Sequence, residues 1–139
     1  MNQVELLKSI AASASGLRAQ GERMRVISEN LANADSLPQS PSQDPYRRKT
    51  VTFRNVFDRV NDVNIVEINN VAFDKAAFPK KFDPGHPGAN ANGYVLEPNV
   101  NSLVEVMDMR EAQRSYEANV GAIETARAML MRTIGILNS

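Results

Sequence analysis

The chain has no cysteine, no tryptophan, a single histidine and only 6% aromatic residues in 139. Lack of cysteine excludes disulfides and thiolate metal sites, and one histidine leaves a zinc centre without ligands. The formal net charge is zero, from 16 basic and 16 acidic residues. A nucleic-acid binder carries net positive charge to displace phosphate counterions, so no nucleic-acid partner is expected. A neutral balance suits a subunit that packs against copies of itself without strong repulsion. No run approaches the roughly 20 apolar residues that cross a bilayer, so no direct membrane span is expected. Small residues follow an apolar stretch in MNQVELLKSIAASASGL, but Glu5, Lys8 and Ser9 interrupt it and no basic region precedes it. A cleaved signal peptide is therefore not expected.

Proline is absent from both ends: all seven prolines lie between Pro38 and Pro98. From Gln3 to Asn33, the positions Leu7, Ile10, Ala14, Leu17, Gly21, Met24, Ser28 and Leu31 alternate steps of three and four. That spacing predicts an amphipathic helix roughly 45 Å long with one apolar seam. Gly21 and the alanines on it would let neighbouring helices approach closely, offsetting the roughly 1 kcal/mol that glycine costs inside a helix. Near the C-terminus, Val106, Met109, Gln113, Tyr116, Val120, Ile123, Arg127, Leu130, Ile134 and Leu137 repeat the pattern over roughly 50 Å. Ser102 and Glu105 have the spacing of a capping box and mark the start of this second helix. Glu111 with Arg114, and Glu124 with Arg127, are spaced to support it.

The residues between read differently. Pro38, Pro41 and Pro45 punctuate a loop from Asp35, and short alternating runs at Thr50–Phe53, Val63–Ile68 and Gly93–Leu96 predict strands. The turn-rich Asp83-Pro84-Gly85-His86-Pro87-Gly88 separates them. The expected fold is mainly α with a small β region: two long terminal helices pair in coiled-coil fashion around a loop-rich β segment. Residues 1–34 and 102–139 would form one discontinuous assembly domain, and 35–101 the loop and small β region. A two-helix hairpin buries one seam and the β segment covers little more. Helices from other subunits are the simplest way to complete the burial.

No catalytic constellation emerges, and an enzyme is not expected. His86 sits in a Pro/Gly turn, and the carboxylates are scattered without an acid–base pair. Asp58 and Asp62 lack the glycine and terminal glutamate of a calcium loop. The glycines at 85, 88 and 93 do not open a helix as a phosphate cradle requires. Arg47-Arg48-Lys49 reads as a solvated strand edge, or as a basic run facing an acidic patch on a neighbouring subunit. Of Met107, Met109, Met129 and Met131 only Met109 falls on a seam, which suits ordinary packing. No cofactor and no metal are expected.

Ser28-Glu29-Asn30-Leu31-Ala32-Asn33-Ala34-Asp35 resembles the S-x-N-L-A-N-A-x signature near the start of flagellar axial proteins. It reads as a helix terminus whose asparagines bond orphan carbonyls and neighbouring backbone. Arg114-Ser115-Tyr116-Glu117-Ala118-Asn119-Val120, followed by Thr125-Ala126 and Met129-Leu130, resembles the matching C-terminal signature. The block from Asp83 through Gly93-Tyr94-Val95 to Glu97-Pro98-Asn99-Val100-Asn101 is similar to that of the FlgC family of proximal rod proteins. The resemblance implies a structural subunit of the bacterial flagellar basal-body rod, the periplasm-crossing shaft that transmits torque. It implies manufacture in the cytoplasm and export, unfolded and without a cleaved signal, through the flagellar type III apparatus. Implied partners are copies of itself, other rod proteins, the basal-body junction protein and the export apparatus. Leu7, Ile10, Ala14, Leu17, Met24, Asn30, Leu31, Asn33, Tyr116, Asn119, Val120, Ile123, Leu130 and Ile134 are the expected assembly interface. The alternatives are another flagellar axial subunit, favoured less by the Asp83–Asn101 block, and a soluble coiled-coil adaptor or export chaperone.

Overall fold

The computed structural model describes residues 2–138. Helix α1 runs Gln3–Ala32 and α2 runs Ser102–Leu137, with strands β1 (Lys49–Asp58), β2 (Val63–Phe73), β3 (Lys80–Phe82) and β4 (Tyr94–Leu96) between them. The mainly helical fold with a small β part is the one the sequence predicts. Two compact units divide the chain: one comprises 1–24, 52–70 and 110–139, the other 25–51 and 71–109. Each therefore holds a piece of both helices and of the β1–β2 hairpin.

In the first unit the helices are antiparallel. Arg23 meets Glu111 at 3.6 Å, and the place of a Cβ on Gly16 falls 2.7 Å from the Asn119 amide. The side chains buried here are Leu6, Ser15, Ala19, Ala112 and Ala126. Most are small. Large residues of the expected seams, among them Leu17, Ile123 and Leu130, stand beside this stripe half-buried. In α2 the fully buried alanines lie one residue before Gln113 and Arg127, both of which are exposed. Close helix approach selects small residues for the innermost line, so hydrophobic periodicity points to its flank.

The hairpin segment of this unit docks on α1 through one hydroxyl. Ser15 Oγ accepts the Val66 N–H at 3.1 Å and donates to the Ala12 carbonyl at 2.6 Å. At the hairpin tip Asp58 accepts the N–H groups of Val60 and Asn61, and Asp62 adopts φ +53°. Lys8 of α1 reaches Asp62 at 2.9 Å. Asp58 and Asp62 thus shape a turn.

The second unit holds β3 and β4, antiparallel with Lys80 opposite Leu96 and Phe82 opposite Tyr94. Its buried apolar residues are Val26, Ile27 and Val95. Strand β3 carries no alternation of its own and was not among the expected strands; pairing with β4 creates it. The capping box expected at Ser102 and Glu105 does not form. Asn101, one residue earlier, accepts the N–H groups of Leu103 and Val104 at its Oδ1 (3.1 and 3.4 Å), while Glu105 is fully buried and turned to other partners. Asparagine caps as well as serine does. Asn2 performs the same service for α1, accepting the Glu5 N–H at 2.8 Å.

Two glycines make opposite predictions. A Cβ on Gly88 would fall on the backbone carbonyl of Pro38, whereas one on Gly21 meets nothing within 4 Å. Gly88→Ala is expected to destabilise the chain by about 1–3 kcal/mol in urea melts. Gly21→Ala is expected to stabilise it by about 0.5–1 kcal/mol, the ordinary helix-interior gain.

Candidate functional site

The densest polar structure lies in the second unit, where the end of α1, the start of β1 and the first turn of α2 converge. Asn30 is 1% exposed and bonds with both its atoms. Its Oδ1 accepts the Lys49 N–H at 2.9 Å and the Tyr46 hydroxyl at 2.8 Å. Its Nδ2 donates to the Lys49 carbonyl at 2.9 Å and to Glu105 Oε2 at 3.3 Å. The amide therefore treats Lys49 as a neighbouring strand would, taking its N–H and giving to its C=O. Burial pushes the Tyr46 hydroxyl's pKa up, and the nearby Glu29 and Glu105 carboxylates add to it.

Glu105 is fully buried and takes its countercharge from Arg48. The guanidinium of Arg48 also meets Asp74 at 3.3 Å and Asp108 at 3.6 Å. Asn99 closes the ring: it accepts the Arg48 N–H at 2.7 Å and donates to the carbonyls of Asp74 and Ala76, each at 3.0 Å. Arg47 donates to the same two carbonyls, with its guanidinium 4.2 Å above the Phe78 ring. Lys49 pairs with Glu29 at 2.5 Å. The run Arg47-Arg48-Lys49 is thus a framework element with internal partners, where the sequence reads a solvated edge. Three adjacent cations give no sign of internal use until α2 brings its acids beside them.

Asn33 bonds the helix end as expected, but not to an orphan carbonyl: its Nδ2 donates at 2.8 Å to the Glu29 carbonyl, which also accepts the Asn33 backbone N–H at 3.2 Å. Asn119 similarly donates to the Ser115 carbonyl at 3.0 Å and lies over Gly16. The sequence does not single out Ser15 or Gly16, and it presents Glu105, Arg48 and Asn99 as a cap, a basic run and part of a family block, not as members of one network.

The remaining expected interface residues are more open. In the first unit Leu7 is 51% and Tyr116 36% exposed, while Ile10, Ala14, Leu17, Met24, Val120, Ile123, Leu130 and Ile134 are half-buried. Leu31 of the second unit is also half-buried. Val4, Met129, Met131, Ile136 and Leu137 add further exposed apolar surface to the same helical segments. A groove of about 440 Å³ runs past Leu6 and Ser9 along Ala118, Gly121, Ala122, Thr125 and Met129. No helix among the described residues is long and apolar enough to cross a membrane.

Residues 91–136, which span β4 and α2, match the family of the flagellar basal body rod FlgEFG protein C-terminal region. The chain is 47% identical over 125 residues to the flagellar basal-body rod protein FlgC of Agrobacterium fabrum, covering 90% of each chain. It is 37% identical to that of Bacillus subtilis (92% of this chain, 95% of the relative) and 36% identical to that of Salmonella typhimurium (93% and 96%).

Removing Arg48 strands a buried carboxylate. Arg48→Ala is expected to lower stability by about 3–5 kcal/mol, read from chemical melts followed by circular dichroism. Lys49→Ala, which breaks a half-exposed pair, should change it little. Acid should act through the same centre. The Ala76 N–H and then Arg48 hold the Asp74 carboxyl below its ordinary 3.8, and Lys49 holds Glu29 below its ordinary 4.5. Carboxyls depressed on folding stabilise above their ordinary values and lose that contribution as pH falls through the lowered ones. The melt midpoint should therefore fall below about pH 4, and Asp74→Asn should make that acid limb shallower.

Proposed function

The chain belongs to the FlgC family of flagellar basal-body rod proteins and is a structural subunit of the rod; we propose that residues 1–34 and 102–139 act as its assembly domain. The observation that carries this reading is the distribution of apolar surface. The inner stripe of the helix pair is already filled by small buried residues, yet large apolar side chains such as Val4, Leu7, Tyr116 and Met129 remain exposed on the same helices. An apolar surface beyond what the chain can cover is supplied with cover by neighbouring subunits. Each large side chain fully buried on assembly contributes roughly 1.5–3 kcal/mol, so a handful per subunit holds a shaft together under torque.

The expected interface then divides by role. Leu7, Tyr116 and the flanking Ile10, Leu17, Met24, Ile123, Leu130 and Ile134 face neighbours, with Ala14 and Val120 allowing close approach. Asn30, Leu31, Asn33 and Asn119 set the helix ends and spacing from which those side chains project. The neighbours are copies of the chain, other rod proteins and the basal-body junction protein. The subunit reaches the periplasmic part of the basal body through the flagellar export apparatus, without a cleaved signal. Residues 35–101 serve as the loop and small β region outside this assembly domain.

Charge placed on exposed positions separates assembly from folding. Leu7→Asp and Tyr116→Asp should leave helix content and melting of the isolated chain unchanged. Each should abolish swimming and remove the chain from purified hook–basal bodies, as read by mass spectrometry. Normal swimming with both variants would sink the proposed surface.

A further inference from the structure

The turn joining β3 to β4 contains the chain's single Asn-Gly dipeptide, Asn92-Gly93. In this dipeptide the glycine nitrogen can attack the asparagine side-chain carbonyl, because no Cβ on the following residue blocks the approach. Asparagine is accordingly among the thermolabile residues. Gly93 cannot be exchanged here. It has φ +85°, and a Cβ would stand 2.9 Å from the Phe82 ring and 3.2 Å from Pro84. The fold demands the residue that makes its neighbour reactive.

The same turn also restrains the reaction. The Gly93 N–H, which must lose its proton to attack, donates to the Asn90 carbonyl at 3.0 Å. Asn90 Oδ1 accepts the N–H groups of Asn92 and Tyr94, at 2.9 and 3.0 Å. The main chain on either side is fixed by Asp83 N–H to the Gly93 carbonyl and Asn90 N–H to the Tyr94 carbonyl, each at 2.9 Å. Gly93 is buried while Asn92 is exposed.

We infer that Asn92 is a conformation-gated modification site, converted to aspartate or isoaspartate when the β3–β4 turn is open and protected when it is closed. In the open chain the deprotonated Gly93 nitrogen bonds to Asn92 Cγ. The Cγ–Nδ2 bond breaks and ammonia leaves with the proton. Water then opens the five-membered imide at either carbonyl, and no oxidant or cofactor is consumed. The isoaspartyl product carries an extra methylene in the main chain, which the tight Asn90–Tyr94 bonding cannot accept. A subunit modified while open is thus kept from reforming the turn around buried Val95.

The test is peptide mass mapping of the full-length chain held at mildly alkaline pH, once folded and once in guanidinium chloride, with aspartate and isoaspartate at 92 counted over time. Modification of an opened state tracks the population of that state, so the folded chain should react at least about tenfold more slowly. Asn90→Ala, confirmed folded by circular dichroism, should narrow the gap from the folded side and leave the denatured rate unchanged. Equal rates in folded and denatured wild-type chain would overturn the inference whether or not the variant folds. So would a folded Asn90→Ala chain that reacts no faster than wild type.

Discussion

A carboxylate taken fully out of water must find a countercharge and hydrogen bonds, and Glu105 finds them in Arg48 and Asn30. Much of the second unit is arranged around that requirement. Arg48 can reach Glu105 only if β1 starts beside α2, and β1 is held there by the Asn30 amide pairing with both backbone groups of Lys49. Asp74 and Asp108 share the guanidinium, so the charge on Arg48 is compensated beyond the one buried acid. Asn99 then ties the Arg48 main chain to the residues that follow β2. Breaking one member leaves others buried without partners, which makes such a network costly to disturb and specific in the geometry it accepts.

The helix pairing of the first unit follows a different logic. Leu6, Ser15, Ala19, Ala112 and Ala126 form its buried line, all but Leu6 small, and Gly16 leaves room for Asn119. Small side chains bury little apolar area each, so this line sets distance and register more than it supplies cohesion. The cohesive side chains are the larger ones displaced to the flanks. A subunit built this way has a defined hairpin and a residual apolar surface at once, and both properties come from the placement of alanine and serine at its centre.

Helix extents were legible in the sequence because proline is confined to the middle and the three–four alternation persists over many turns. Strand existence was legible for β1, β2 and β4, but β1 and β2 run longer than their alternating cores. Cross-strand pairing carries them through Arg54-Asn55 and Asn69-Asn70, which have little strand preference of their own. The family was legible from the two asparagine-bearing signatures and the Asp83–Asn101 block. The polar centre was not, since its hydrogen-bonded partners lie up to 75 residues apart and each has an ordinary local reading. Glu105 passes for a capping residue and Arg48 for a solvated cation until the fold places one against the other.

That contrast bears on what a family signature reports. Asn30, Asn33 and Asn119, the residues that make the resemblance, spend their hydrogen bonds inside the chain, on Lys49, Glu29 and Ser115. Asn30, held by four such bonds, has little left to offer a neighbour, and Asn33 and Asn119 each spend a side-chain N–H on their own helix, so the value of these amides to an assembly is indirect. In the proposed assembly the contacts themselves fall to apolar side chains such as Leu7 and Tyr116, which the chain leaves exposed. Any large apolar residue at those positions buries comparable area, and only its place on the helix matters. On that proposal, family recognition and cohesion are carried by different residues of the same two helices. The polar residues define the geometry strictly, and the apolar ones exploit it with wide latitude in identity.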